Sequence, residues 1–223
     1  MTTLLTDLIT LSAAGLLIAT FGVVVRRSFV GWVSAYRYQS VVLAASTAVV
    51  GYSTGFWDIY AAALLTLVVK AEVIPRLLVR VTSGVEGGLK MEANPYVSIR
   101  LSVLISALLV ALSYAMVGQI LASAKLDALA QAYLPVSVSL FFIGLFAMVS
   151  RRTALNQVVG LLIIENGLFL FTTALTRGVS LIIEVGILAD ALVGVVISAA
   201  LLTRMSRTFD TMDTGSLEKL KDD

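Results

Sequence analysis

The chain has 223 residues, of which 59% are hydrophobic and 13% charged, and its mean hydropathy is +0.98. Soluble domains carry about 25% charged residues, so this composition excludes an ordinary soluble protein and indicates a polytopic membrane protein. The sequence contains no cysteine and no histidine. This excludes iron–sulfur clusters held by cysteine, haem held by histidine and zinc held by either residue, so we expect no redox centre in this chain.

Seven stretches are long and apolar enough to cross a bilayer, which takes roughly 20 residues. In chain order they are residues 4–25, 38–54, 59–80, 99–121, 134–150, 153–175 and 181–203. The second and fifth are short and can extend into their flanks. The first has no basic segment before it, so we expect a retained helix and not a cleaved signal peptide. The sequence thus predicts an all-α membrane protein of about seven transmembrane helices.

Basic residues set the predicted orientation, because they concentrate in cytoplasmic loops. Only Lys125 and Arg177 fall in loops on one side of the membrane. The other thirteen lie in or beside the loops and tail on the opposite side: Arg26, Arg27, Arg37, Arg76, Arg80, Lys90, Arg100, Arg151, Arg152, Arg204, Arg207, Lys219 and Lys221. We therefore expect the N-terminus outside and the C-terminus in the cytoplasm, and we assign the net charge of +2 to topology and not to nucleic-acid binding.

Five of the ionisable residues within the predicted spans are candidates for function, because charge in a membrane helix is costly and usually functional: Lys70, Glu72, Glu165, Glu184 and Asp190. Glu165 lies roughly 18 Å from the cytoplasmic end of the sixth span, and Asp190 roughly 14 Å from the outer end of the seventh. The two spans are antiparallel neighbours, so we expect these carboxylates to face each other near the bilayer centre. Lys70 lies at a similar depth in the third span.

The other two acids are expected to face elsewhere. Glu184 is nearer the outer surface and about 120° round the helix from Asp190. Glu72 lies nearly opposite Lys70 on its helix and closer to the cytoplasm, where it can reach the surface or a separate chain. Asn166 and Gln157 add polar atoms to the sixth span. This set favours an ion pathway over the alternative, a structural network of ion pairs that fixes helix register.

Several motifs resemble a known family. They are YQSVVL at residues 38–43, the lysine-containing helix around Lys70, ENG at 165–167 and EVGILADA at 184–191. On these residues the chain resembles the hydrogenase-4 component E family, whose members are membrane subunits of group 4 [NiFe] hydrogenase and formate hydrogenlyase complexes. The resemblance extends over nearly all seven spans and is densest after residue 151.

The last three spans also look like the small NuoK-type subunit of respiratory complex I and the MrpC component of Mrp antiporters. In those proteins a paired arginine precedes a helix with a GLE-type motif, and a second glutamate follows in the next helix. Here Arg151 begins the arginine pair and Gly160 begins the motif. The expected glutamate position holds Leu162, and Glu165 lies one helical turn later. Asp190 falls where the second glutamate would be.

The resemblance implies a non-redox subunit of a complex I-like oxidoreductase in the bacterial or archaeal cytoplasmic membrane. Residues 1–121 would form an N-terminal four-helix region, 122–206 the NuoK-like region and 207–223 a cytoplasmic tail. The implied partners are antiporter-like pump subunits, a quinone-site-like subunit and a peripheral hydrogenase module that holds the nickel–iron and iron–sulfur centres.

Two functions remain open at this point. The chain contributes buried carboxylates to a proton or Na⁺ path, or it is a purely structural adaptor between the hydrogenase module and the pump subunits. A stand-alone solute carrier is disfavoured, since the sequence shows no substrate-sized polar cluster and no broken helix.

Overall fold

The computed structural model describes residues 2–83, 96–123, 126–151, 154–178, 185–186, 188–189 and 192–197. Every regular element in these ranges is a helix, which confirms the predicted all-α class. In chain order the helices are α1 (Thr2–Val25), α2 (Phe29–Thr54), α3 (Trp57–Leu65), a π-helix (Thr66–Val73), α4 (Ile74–Ser83), α5 (Ile99–Ser123), α6 (Ala128–Val149) and α7 (Ala154–Thr176). The described residues after 184 are also helical.

Four helices in the described ranges are long and apolar enough to span a membrane by themselves: Thr3–Val25, Ile99–Ser123, Ala128–Val149 and Leu155–Thr176. They coincide with four of the predicted spans. The chain is therefore a multi-pass membrane protein. Most of the seventh predicted span, 181–203, lies outside the described residues.

Two helices begin earlier than the apolar pattern predicts, because capping residues mark their starts. The Ser28 hydroxyl accepts a hydrogen bond from the Gly31 amide, so α2 begins at Phe29 and not at residue 38. The Asp127 carboxylate accepts one from the Ala130 amide, so α6 begins at Ala128 and not at residue 134.

The third predicted span, 59–80, is a continuous helical run with a wide section in its middle. The backbone amide at position 74 donates to the carbonyl of Val69, which is the i→i+5 pattern of a π-helix. Pro75 follows directly and lacks the N–H that would bond the carbonyl of residue 71. The sequence predicts a bend at Pro75, whereas the structure has a widened turn just before it.

Helices α6 and α7 approach each other very closely, because glycines line their contact. A β-carbon added at Gly160 would lie 2.6 Å from Cγ of Met148 and 3.0 Å from the carbonyl oxygen of Gly144. One added at Gly167 would lie 2.9 Å from the carbonyl oxygen of Ser137. Such small-residue contacts are typical of membrane helices, and they explain why glycine occupies both positions.

Two apolar clusters fill the interior, one toward each end of the helices. The first contains Trp32 and Tyr36 of α2, Ile74 of α4, and Leu155 and Ile163 of α7. The second is built around Leu16 of α1, Leu43 of α2, Ile59 of α3, Leu140 of α6 and Phe169 of α7. Buried polar residues separate the two clusters on α1, on α2, on α7 and on the run from α3 to α4. They are Thr20, Gln39, Ser40, Thr66, Lys70 and Asn166. The helices thus enclose a polar layer between two apolar ones.

Candidate functional site

The centre of the polar layer is an ion pair between Lys70 and Glu165. Lys70 Nζ lies 2.9 Å from Glu165 Oε1, and the side chains are 0% and 17% exposed. Lys70 lies midway along the run Trp57–Ser83, about 20 Å from either end. Glu165 lies midway along α7, about 16 Å from either end. The pair therefore lies midway along both helical runs, whereas its depth in the membrane stays a prediction.

Phe169, one turn after Glu165, forms a second contact with the lysine. The Lys70 nitrogen lies 5.3 Å from the centroid of the buried Phe169 ring. At this distance the ring face attracts the ammonium group. The lysine thus contacts a carboxylate and an aromatic ring, both of which belong to α7.

A set of amides and hydroxyls adjoins the ion pair. Asn166 Nδ2 donates to Gln39 Oε1 at 3.1 Å and lies 3.4 Å from the Ser40 hydroxyl. Gln39 Nε2 donates in turn to the Thr20 hydroxyl at 2.7 Å, and Thr20 donates to the Leu16 carbonyl. All four polar side chains are buried. The chain of bonds joins α7 to α2 and α1, so it fixes the register of three helices around Glu165.

Tyr36 also faces this layer. Its side chain is fully buried, and it lies within electrostatic range of Glu165. The hydroxyl is near Ser40 but makes no hydrogen bond of good geometry to any described residue. In the predicted orientation, Tyr36 lies on the cytoplasmic side of Gln39 and adds a polar group there.

Glu72 belongs to a different set of charges. Its carboxylate pairs with Arg37 of α2 and with Arg76 one turn further along its own helix. Glu72 is 28% exposed, and the two arginines are more exposed still. As predicted, Glu72 points away from Lys70, and its partners are two arginines of this chain.

Three other predicted site residues remain, of which the structure describes only Gln157. Gln157 is half-buried on α7, about 12 Å along the helix axis from Glu165. Glu184 and Asp190 lie outside the described residues, so the predicted pairing of Glu165 with Asp190 stays a prediction. In the described part of the chain, no three His, Cys, Asp or Glu side chains converge to hold a metal ion.

Arg151 is buried, although the topology argument treats it as a loop charge. It is 2% exposed, and its guanidinium lies 5.0 Å from the centroid of the Trp32 ring. One nitrogen donates to the Val24 carbonyl at 3.2 Å. Burial lowers the pKa of Arg151 below the usual arginine value. This residue ties the α6–α7 connection to the ends of α1 and α2, and Arg152 lies outside the described residues.

Gln39, Thr20 and Tyr36 are the site residues that sequence reasoning missed. One signal was available: Gln39 and Ser40 lie inside the motif YQSVVL, and Asn166 lies inside the motif ENG. The structure shows that these two motifs hydrogen-bond to each other across α2 and α7. Polar residues in the middle of apolar helices are therefore the sequence signal that indicates the polar layer.

Comparison with known proteins places the region after residue 132 in a family. Residues 132–222 match the family "NADH-ubiquinone/plastoquinone oxidoreductase chain 4L". The matched region includes most of α6, all of α7 and Glu165. The fold and this match define a multi-pass membrane protein with a chain 4L-related region.

Two known proteins are similar to this chain in sequence. "Uncharacterized protein Rv0085" of Mycobacterium tuberculosis is 31% identical over 218 residues, which is 96% of this chain and 96% of that protein. "Hydrogenase-4 component E" of Escherichia coli K12 is 34% identical over 88 residues, which is 40% of this chain and 41% of that protein. No solved structure matches. The chain belongs to the same family as the Mycobacterium tuberculosis protein, its residues 132–222 are related to chain 4L, and part of it is similar to hydrogenase-4 component E, the resemblance that its motifs predict.

Proposed function

We propose that this chain is a non-redox membrane subunit of a complex I-like hydrogenase assembly, and that Lys70 and Glu165 form a proton-transfer step within it. The likeness to hydrogenase-4 component E supports membership of a multi-subunit complex. The observation that carries the transfer step is the 2.9 Å contact between Lys70 and Glu165, midway along both helical runs.

The chemistry of the pair suits reversible proton transfer. A proton moves from the Lys70 ammonium to Glu165 Oε1 along the existing contact and leaves a neutral amine beside a carboxylic acid. Low dielectric disfavours separated charges, so the charged and neutral forms of a close buried pair are nearer in free energy than in water. A change in field from a neighbouring subunit can then tip the pair from one form to the other.

The surroundings support this role. The bonded amides of Asn166 and Gln39 adjoin Glu165 and hold α7 in register with α2 and α1. Phe169 adds an apolar ring 5.3 Å from the Lys70 nitrogen, and this ring cannot take its proton. Glu165 is the carboxylate in contact with the lysine, so transfer runs toward α7.

The remaining acids complete the proposal. Asp190 and Glu184 would continue the path toward the outer face, and Glu72 would connect it with the cytoplasmic side or a neighbouring subunit. The ion is H⁺, with Na⁺ as the alternative for carboxylate sites. The location is the bacterial or archaeal cytoplasmic membrane. The nickel–iron and iron–sulfur centres would reside in a peripheral hydrogenase module, next to antiporter-like pump subunits and a quinone-site-like subunit.

A structural adaptor is the second candidate. The observation that favours it is that Lys70 and Glu165 neutralise each other, as a pair that only fixes helix register would. An adaptor needs the pair for assembly and not for translocation. The two functions therefore differ in what a neutral replacement of the pair does to an assembled complex.

The experiment measures ΔpH formation by the intact complex in inverted membrane vesicles. With the double substitution Lys70→Met/Glu165→Gln, which removes both charges, we expect normal assembly and a drop in proton translocation of roughly tenfold or more, since general acid–base groups contribute on the order of 10²-fold or more. Asp7→Asn is the matched control, because it removes an exposed carboxylate from the same chain. Full translocation by an assembled complex with the double substitution would refute the transfer step and leave the adaptor.

A further inference from the structure

The hydroxyl group of Tyr36 is buried without a hydrogen bond. Tyr36 is 0% exposed, and its oxygen has no partner of good geometry among the described residues. A buried hydroxyl without a hydrogen bond destabilises a protein, and such groups are rare in folded structures. Phenylalanine would fill the same space without this cost. The presence of tyrosine at this position therefore indicates a use for the oxygen other than packing.

The Tyr36 hydroxyl lies beside the polar layer. The Tyr36 ring belongs to the first apolar cluster. Ser40, one turn later on α2, lies near the hydroxyl, and the Ser40 oxygen is 3.4 Å from Asn166 Nδ2. Asn166 directly follows Glu165 on α7, and the Glu165 carboxylate is within electrostatic range of Tyr36. A buried hydrogen-bond donor is thus close to the Lys70–Glu165 pair.

Proton transfer through the pair creates a state that needs such a donor. Lys70 first gives its proton to Glu165, and Glu165 then gives it to a water molecule or to another carboxylate. A neutral amine and a charged carboxylate remain, so the ammonium group no longer compensates the carboxylate. An uncompensated charge away from water is costly. A hydrogen bond donated to the carboxylate favours its charged form and offsets part of that cost.

We propose, on the basis of the transfer step above, that Tyr36 is a positioning residue that donates a hydrogen bond to Glu165 while the carboxylate is charged and Lys70 is neutral. In the intact ion pair Lys70 holds the carboxylate, and the tyrosine hydroxyl makes no bond of good geometry. When the ammonium group has lost its proton, the Glu165 side chain turns toward Tyr36. The O–H proton stays on Tyr36 throughout, so this residue stabilises one state of the pair and carries no proton itself.

The test compares Tyr36→Phe with Tyr133→Phe in the intact complex in inverted membrane vesicles. Tyr133 of α6 is the matched control, because it is also 0% exposed but its oxygen lies 2.8 Å from Ser12 Oγ. With Tyr36→Phe we expect normal assembly and proton translocation reduced roughly tenfold or more, since a hydrogen bond to a charged group contributes about this factor. With Tyr133→Phe we expect normal assembly and full translocation.

An infrared measurement separates this role from a structural one. Difference spectra between resting and translocating vesicles should contain a carboxylate band of Glu165, identified by its absence from the Lys70→Met/Glu165→Gln complex. Tyr36→Phe should shift this band, and Tyr133→Phe should not. Unchanged translocation or an unshifted band with Tyr36→Phe would overturn the role of Tyr36, and the transfer step would stand if the Lys70→Met/Glu165→Gln complex is impaired. Full translocation by that complex would overturn both proposals.

Discussion

Removing one member of the Lys70–Glu165 pair should destabilise the protein strongly, and removing both should not. At 2.9 Å and an effective dielectric of about 20, the attraction is roughly 5 to 6 kcal/mol. Desolvation of the two groups offsets several kcal/mol of this gain. The net value of the pair is therefore small, but a single substitution leaves one charge buried alone. We expect Lys70→Met to lower the free energy of unfolding by about 3 to 5 kcal/mol.

A double-mutant cycle measures this directly. Lys70→Met, Glu165→Gln and the double variant are compared by equilibrium unfolding of the full chain in mixed micelles. The double variant should recover most of the loss, with a coupling free energy of at least about 2 kcal/mol. The control cycle uses Arg177→Met and Asp127→Asn, which break an ion pair of the same 2.9 Å length whose side chains are 68% and 34% exposed.

The control pair should give a coupling of at most about 1 kcal/mol, because water screens exposed charges and side-chain entropy opposes the contact. The two ion pairs have the same N···O distance and differ in burial, so the comparison isolates the effect of burial on the coupling free energy. If the Lys70–Glu165 coupling proved no larger than the Arg177–Asp127 coupling, the view of the polar layer as a desolvated site would be wrong.

Two further predictions use the same unfolding measurement. Gly160→Ala should cost about 1 to 3 kcal/mol, because the added methyl group overlaps α6. Gly118→Ala should be neutral or stabilising, because nothing lies within 4 Å of the added carbon and alanine favours helix; equal losses at both glycines would contradict the close approach. Asn166→Leu should cost about 0.6 to 1.7 kcal/mol, because Gln39 Oε1 loses the hydrogen bond that Asn166 Nδ2 donates. The exposed Gln119→Leu should change stability by less than about 0.5 kcal/mol, and a loss as large as that of Asn166→Leu would argue against a bonded amide layer.

The helical class and the depth of the central charges could be predicted from sequence, because both follow from counting residues along a helix. Apolar length gives the spans, and a rise of about 1.5 Å per residue gives the level of Lys70 and Glu165. The structure places both residues midway along their helices. Their contact is consistent with this shared depth.

The choice of partners could not be predicted in the same way. Which side chains meet depends on the rotation of each helix and on which helices are neighbours, and spacing along one helix does not determine either. Sequence reasoning placed Lys70 at the level of Glu165 but paired Glu165 with Asp190, because the sixth and seventh spans are joined by a short turn. The contact between Glu165 and Lys70 crosses from α7 to a helix far earlier in the chain.

Rotation also explains the residues that were missed. Gln39 lies on the face of α2 that packs against α7, and the sequence does not show that these two helices are neighbours. Arg151 counted as a loop charge, because its position between two spans gives no sign that Trp32 covers it. Capping explains the early starts of α2 and α6, since a polar cap lies outside the apolar pattern that marks a span.

The π-helix Thr66–Val73 constrains how this chain can vary in length. A wide turn is what remains when a single residue is inserted into an α-helix without unwinding it. Deleting one residue there would let the run close into a regular α-helix while the residues on either side keep their relative faces. The same deletion in α3 or α4 would turn everything beyond it by about 100°. The wide turn is therefore the section of this run in which a change of one residue in length least disturbs how the buried charge of Lys70 and the surface charge of Arg76 are placed.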